Sequence, residues 1–75
     1  MSKDNNNMKD KLKILENTLK NHDWFYYYSD DFSVYESGQR SFDKINELIE
    51  LLENNDLGKE ANDLYEKYEP EALKY

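Results

Sequence analysis

Apolar side chains recur at helical intervals near the start of the chain. Four of them, separated by four, three and four residues, lie on one stripe of an α-helix: Met8, Leu12, Leu15 and Leu19. Asn21 and His22 follow the stripe and are suitable residues for ending a helix, because Asn tolerates left-handed backbone. The pattern therefore predicts a first helix from about Met8 to Asn21, preceded by a mobile polar leader at residues 1–6.

A longer helical register covers the middle of the chain, with apolar positions at Phe32, Tyr35, Phe42, Ile45, Ile49 and Leu52. Ser29 suits the N-cap, and Asp30 and Asp31 would then lie in the first turn, where carboxylates favour the positive end of the helix dipole. We therefore predict a second helix from about Asp30 to Glu53. Gly38 costs about 1 kcal/mol there relative to Ala, so it marks either a close crossing or a break.

The region before this register also fits a short β-hairpin. Residues 24–28 and 32–36 are rich in strand formers, and they flank Ser29-Asp30-Asp31 as two strands flank a hairpin loop. The longer helical register favours an all-α domain. An α+β domain with a hairpin at residues 24–36 is the alternative.

The last third of the chain predicts a turn and a third helix. Asn54-Asn55-Asp56 has turn composition, Asp56 suits the N-cap, and Pro70 should end the helix. Its apolar positions are Leu57, Ala61, Leu64, Tyr65 and Tyr68. A chain of 75 residues has room for one small domain. We expect a single three-helix domain at residues 1–75, built on a long helical hairpin, with a short tail at residues 70–75.

Composition and charge restrict the classes of partner. The chain has no cysteine, which excludes disulfides and cysteine-ligated zinc, and it has no apolar stretch long enough for a membrane span. We therefore expect a cytosolic protein. Its net charge is -7, and most of the acids lie after residue 22. Such a surface repels phosphate backbones and attracts basic proteins, so no direct nucleic-acid partner is expected.

Five consecutive aromatic residues, Trp24 to Tyr28, form the aromatic run. Five neighbouring rings cannot all face one small core, because adjacent side chains point in different directions. We expect Trp24, Phe25 and one tyrosine to pack and the others to be exposed. The candidate contact residues are Tyr26, Tyr27, Tyr28, Tyr35, Asp30 and Asp31. Tyrosine beside aspartate suits an Arg or Lys of another protein, although the acidic pair could simply cap the second helix.

Three further acids lie near the end of the second helix, where the dipole would favour Lys. Glu47, Glu50 and Glu53 form this acidic stripe, and Asp56 follows it. One interpretation is a functional surface that imitates phosphates toward a nucleic-acid-binding protein. The other is the solvated face of an acidic protein.

No motif predicts catalysis, a metal site or a cofactor. Asp23, Asp30, Asp31 and Glu36 lack the spacing of a calcium loop, and the chain has one histidine and two glycines. That composition offers neither a zinc ligand set nor a glycine-rich phosphate loop. His22 is interpreted as a charged cap at the negative end of the first helix. We expect no enzymatic activity.

The segment His22-Asp23-Trp24-Phe25-Tyr26-Tyr27-Tyr28-Ser29-Asp30-Asp31 resembles a pattern in short proteins of phages and mobile elements. In that pattern an HDWYY-type run leads through SDD into a long helix, and Val34-Tyr35 and Gly38 fall where it has an aromatic and a glycine. Tyr27-Tyr28 and Phe32 depart from it. The resemblance covers about residues 12–69 and implies a helical fold and a mobile-element origin, with no established activity.

Three functions fit these features. The first is a small acidic protein-binding domain that docks on a basic surface of a nucleic-acid-binding enzyme, such as a host defence effector, and inhibits it. The alternative is a self-associating accessory module whose aromatics form a homodimer interface. A weaker third is a nucleotide-binding protein that stacks bases on Tyr26 to Tyr28, which the scarcity of nearby Lys and Arg opposes.

Overall fold

The computed structural model describes residues 2–73, with side chains from Met8 onward. In this part of the chain, α1 spans Ser2–Asn21, α2 spans Phe32–Glu53 and α3 spans Gly58–Tyr68. Single 3-10 turns follow α1 at Tyr26–Tyr28 and α3 at Glu71–Leu73. No strand occurs in the described range, so the all-α prediction is confirmed and the hairpin at residues 24–36 is wrong.

The core lies where the three helices meet. Its buried apolar side chains are Leu15, Leu19, Ile45, Leu48, Leu52 and Ala61. The spacing of these positions by three or four residues gives α1 and α2 one apolar stripe each, and the small side chain of Ala61 lets α3 approach them closely. α2 and α3 form the predicted hairpin, and α1 packs against both.

α1 begins earlier than its apolar stripe predicts. The backbone is helical from Ser2, whereas the stripe predicts a start near Met8; the mobility of residues 1–6 stays a prediction. The end at Asn21 agrees with the sequence, but Asn21 is not left-handed, because Asp56 is the residue with positive φ among the described non-glycine residues. No helix in residues 2–73 is long and apolar enough to cross a membrane.

The cap of α2 differs from the prediction. Asp31, not Ser29, is the N-cap, and one carboxylate oxygen of Asp31 accepts a hydrogen bond from the backbone N–H of Ser33 at 2.8 Å. The Ser29 hydroxyl accepts from the backbone N–H of Asp31 instead, at 3.1 Å. The helix therefore starts at Phe32, two residues later than predicted, and Asp30 lies in the preceding loop.

Asp56 ends α2 and does not cap α3, which corrects a second prediction. Its φ is 66°, and its N–H bonds to Glu53 O at 3.4 Å while the N–H of Leu57 bonds to Leu52 O at 2.9 Å. This pair of bonds is a Schellman motif, which satisfies the last carbonyls of a helix through one left-handed residue. Leu57 takes the N-cap position of α3 without a side-chain bond, and α3 ends before Pro70 as predicted.

Gly38 lies inside α2 and is buried. A Cβ atom at this position would overlap Cβ and Cγ of Tyr26. The glycine therefore marks a close approach, which is one of the two predicted alternatives. The group that approaches is the Tyr26 side chain and not another helix. α2 continues through Gly38 without a break.

We expect Gly38→Ala to lower the free energy of unfolding by up to about 2 kcal/mol. The added methyl group forces Tyr26 away, which costs roughly 1–3 kcal/mol as overpacking, and the gain in helix propensity of about 1 kcal/mol offsets only part of that. Urea denaturation followed by circular dichroism measures the change. Ser37→Ala is the matched control, because Ser37 is exposed and adjacent. Equal stabilisation of both variants would contradict the close contact.

Candidate docking surface at the aromatic end

The aromatic run folds as a hydrogen-bonded turn followed by one turn of 3-10 helix. The Asp23 carboxylate accepts from the backbone N–H of Phe25 at 3.1 Å. Backbone bonds then join Tyr26 N to Asp23 O at 3.2 Å, Tyr28 N to Phe25 O at 3.0 Å and Ser29 N to Tyr26 O at 3.1 Å. A 3-10 helix has three residues per turn, so successive rings point in three directions from a braced backbone.

Two rings of the run pack inward. Trp24 packs against the core and meets the Tyr65 ring edge-on at a centroid distance of 5.5 Å. Tyr26 covers Gly38, and its hydroxyl donates to Gln39 Oε1 at 3.2 Å. Burial, followed by the charges of neighbouring groups, raises the pKa of Tyr26. Tyr26 is therefore mainly a packing residue, although the sequence places it among the contact residues.

Phe25 does not pack as predicted. It is 47% exposed, and its ring lies 6.5 Å from that of Tyr28. The reason is the three-residue period, which places residues 25 and 28 on the same outward side of the turn. The prediction for Trp24 and one tyrosine is confirmed.

Three exposed rings and one half-buried ring form a connected surface, which we call the aromatic patch: the exposed Phe25, Tyr27 and Tyr28 and the half-buried Tyr35. Tyr27 and Tyr28 are 66% and 71% exposed, and their ring centroids lie 6.2 Å apart. Tyr35 from α2 extends the array, with its ring 5.5 Å from that of Tyr27. The structure thus brings together three of the predicted tyrosines on one surface.

Phe32 is an exposed ring that sequence reasoning missed. The helical register predicts that it faces the core, but Phe32 is 73% exposed. It is the first residue of α2, and the buried positions of α2 begin only at Gly38. Periodicity gives the direction of a side chain and cannot show where the packed core stops.

The aromatic patch lies in an acidic part of the chain. Residues 21–39 contain four acids and no Lys or Arg, and Asp30 and Asp31 are both exposed. Lys20 and Arg40 flank this segment in sequence. Arg40 pairs with Glu36 at 3.2 Å, an exposed contact of the kind that contributes only about 0.3–0.5 kcal/mol. Asp31 therefore caps α2 and remains exposed; its role in contacting a partner stays a prediction.

The acidic stripe is a separate surface. Glu47, Glu50 and Glu53 are exposed on α2, but a rise of 1.5 Å per residue places Glu47 on the order of 20 Å along the helix from Phe32. Asp30 and Asp31 therefore do not form one surface with the acidic stripe. Among the described side chains, no three His, Asp or Glu residues are placed to hold a metal ion.

His22 is buried and links α1 to the aromatic run and α2. It is 7% exposed, and its Nδ1 lies 2.9 Å from Ser41 Oγ. Rings of Trp24, Tyr26 and Phe42 surround it at centroid distances of 5.0, 5.6 and 6.0 Å. Burial lowers the pKa of His22, against the opposing charge of Asp23. Burial therefore disfavours the charged form of the imidazole, on which the predicted cap depends.

We expect Asp31→Ala to lower the free energy of unfolding by about 1 kcal/mol, since the variant loses the N-cap bond to Ser33. Asp30→Ala is the matched control, because it removes the same charge one residue away without removing the cap. Its effect should stay within about 0.5 kcal/mol. Thermal denaturation of both variants measures the difference, and equal losses would contradict the assignment of the cap.

The stability of the domain should fall as the pH drops below about 6.5. The pKa of His22 is lower in the folded chain than its ordinary value of 6.5, so the unfolded state binds more protons in the interval between the two values. The stabilisation is complete above about pH 6.5 and is lost as the pH falls toward the folded pKa, with a slope of at most about 1.4 kcal/mol per pH unit.

Urea denaturation between pH 7.5 and 5.5 measures this dependence, and His22→Gln supplies the control because it cannot titrate. The variant should show a flatter profile whatever its absolute stability. Parallel profiles for the two proteins would assign the pH dependence to other groups.

Comparisons with protein-family models, curated proteins and solved structures give no match for this chain. The function proposed next therefore rests on the geometry and charge of the aromatic end.

Proposed function

We propose that this chain is a small protein-binding domain that docks through its aromatic end on a basic surface of a nucleic-acid-binding enzyme in the cytoplasm and blocks it. The observation that carries the proposal is a connected array of rings, most of them exposed, in a segment that also contains the exposed carboxylates of Asp30 and Asp31 and has no Lys or Arg. Inhibition of a host defence effector by a phage or mobile-element protein fits this chemistry.

The rings are suited to binding because they are held before a partner arrives. Tyrosine offers a large, rigid contact area with one polar tip and few rotatable bonds. The backbone bonds of the aromatic run and the Asp31 cap order the segment in the free protein. Association then requires less ordering, which leaves more of the contact energy as affinity.

A basic protein surface fits better than a nucleic acid. Binding to a phosphate backbone requires Lys and Arg that release counterions, and the aromatic end presents carboxylates instead. Carboxylates beside aromatic faces match the guanidinium and ammonium groups with which an enzyme holds nucleic acid. Such a partner would lose access to its own substrate while the domain is bound.

Self-association through the same surface is less favourable. In a two-fold dimer each patch meets an identical patch, so carboxylates of one copy come close to those of the other. Juxtaposed like charges weaken such an interface. Sedimentation equilibrium at micromolar concentration separates the two functions, since the docking proposal expects a monomer and the homodimer alternative expects a dimer that the loss of Tyr28 disrupts.

A tagged pull-down from nuclease-treated native host lysate tests the docking proposal. We expect the wild type to retain a basic nucleic-acid-binding enzyme. A variant with Tyr27→Ala, Tyr28→Ala and Asp30→Ala should retain at least 10-fold less of this enzyme. This variant keeps the Asp31 cap, and its circular dichroism should match that of the wild type.

The matched control carries Glu47→Ala, Glu50→Ala and Glu53→Ala, which also removes exposed negative charge. It should retain the enzyme if the acidic stripe is only a solvated face. Binding should weaken steeply between 50 and 500 mM salt, because exposed charges are screened beyond roughly 8 Å already at physiological ionic strength. The proposal would be refuted if the variant with Tyr27→Ala, Tyr28→Ala and Asp30→Ala, the patch variant, still retained the enzyme. It would also be refuted if the enzyme still bound its nucleic acid while in complex with the domain.

A further inference from the structure

A cleft of about 280 Å³ opens on the side of the aromatic run that faces α3. The residues that line it include Trp24, Tyr26, Tyr27, Tyr28, Tyr65 and Glu69. Pockets for drug-sized ligands measure roughly 300–1,000 Å³, so this cleft suits one inserted side chain better than a whole small molecule.

We propose that the cleft receives an arginine side chain of the partner, with the guanidinium against the tyrosine faces and paired with Glu69. This inference rests on the proposed function, because it names the group of the basic surface that the domain recognises. It also extends the contact region beyond the aromatic patch to α3 and the residue that follows it.

The charge of the cleft favours a cation. Glu69 is the acidic residue of the lining, and neither Lys nor Arg takes part in it. Aromatic faces attract cations through the negative potential above the ring, and the attraction grows when water is excluded. After burial itself, the charge of Glu69 and its hydrogen bond with the Tyr65 side chain raise the pKa of Tyr65, so the carboxylate lies next to the hydroxyl of this lining residue.

A buried, unpartnered nitrogen is a second and independent sign of a missing donor or acceptor. His22 is among the lining residues, and its Nε2 is buried without a hydrogen-bond partner. When Nδ1 carries the proton and donates to Ser41 Oγ, Nε2 has a lone pair and is a hydrogen-bond acceptor. Buried polar atoms are rarely left unpaired, and an N–H donor entering the cleft would relieve this one after a small movement of the covering rings.

Arginine fits these features better than lysine. The guanidinium is planar and stacks on aromatic rings, and its five N–H donors fork toward more than one acceptor. Glu69 and His22 Nε2 are two acceptors in the same lining. The lysine ammonium is a strongly hydrated point charge with neither the flat face nor the fork.

Tryptophan fluorescence tests the inference directly, because Trp24 is the single tryptophan of the chain and lines the cleft. The probe is the peptide acetyl-Gly-Gly-Arg-Gly-Gly-amide, titrated to millimolar concentration at 50 mM salt. We expect a saturable change in Trp24 emission, with binding at least 3-fold tighter than that of the same peptide with Lys in place of Arg.

Glu69→Gln should weaken binding of the arginine peptide about 5-fold or more, because the neutral amide loses the charge-assisted bond. Glu60→Gln is the matched control, since it removes one exposed carboxylate of α3 outside the cleft; its affinity should be unchanged. Tyr28→Ala provides a second cleft variant that leaves the core intact, and it should weaken binding as well. Absence of saturation with the wild type, or equal affinity in the wild type and both cleft variants, would overturn the inference.

The lysate pull-down separates this inference from the docking proposal. If Glu69→Gln captures the enzyme as well as the wild type does while the patch variant loses it, the cleft is not used and the docking surface stands. If the patch variant also captures the enzyme, both are wrong. Loss of capture in Glu69→Gln together with loss of peptide binding supports both.

Discussion

The contact between Tyr26 and Gly38 holds the aromatic end of this protein together. A side chain at residue 38 would occupy the place of the Tyr26 ring, so the absence of a Cβ lets the aromatic run lie directly on α2. Tyr26 is the inward-facing residue of a 3-10 turn. Once it is seated, the directions of Phe25, Tyr27 and Tyr28 follow from the three-residue period, and the exposed surface is a consequence of one buried contact.

His22 and Asp31 support this contact from the two ends of the loop. His22 is packed among three rings and bonded toward α2 through Ser41, which positions the exit from α1. Asp31 closes the loop by capping α2. A domain of this size has little stability to spare, yet it keeps large aromatic side chains in water. This arrangement is consistent with a surface used for binding, because exposed rings contribute little to the stability of the free domain.

The exposed rings are concentrated at one end of α2 for a geometric reason. The buried core occupies the region where α1, α2 and α3 overlap. The first turns of α2 lie before its buried apolar residues and extend beyond this region. Side chains there have a rigid backbone beneath them and no helix in front of them. The cleft beside Tyr65 and Glu69 arises where α3 and its end approach the aromatic run, so it contains residues that are more than forty positions apart in the chain.

Periodicity in the sequence determined the helical fold, the apolar stripe of α1 and its last residue, and turn and proline signals determined the positions at which α2 and α3 stop, because these features depend on local spacing and on backbone chemistry. The predicted register of α2 identified Ile45 and Leu52 in the core but not Leu48. Composition likewise determined an acidic, cysteine-free chain with an aromatic run. Only the tertiary structure decided that Asp31 caps α2 while Asp56 ends it, since several residues of similar propensity compete for each position. It also decided that Tyr26 packs while Phe25 and Phe32 are exposed, and that His22 is buried among aromatic rings. Those outcomes depend on which surfaces meet and where the core stops, and neither is encoded in the spacing of residues along one helix.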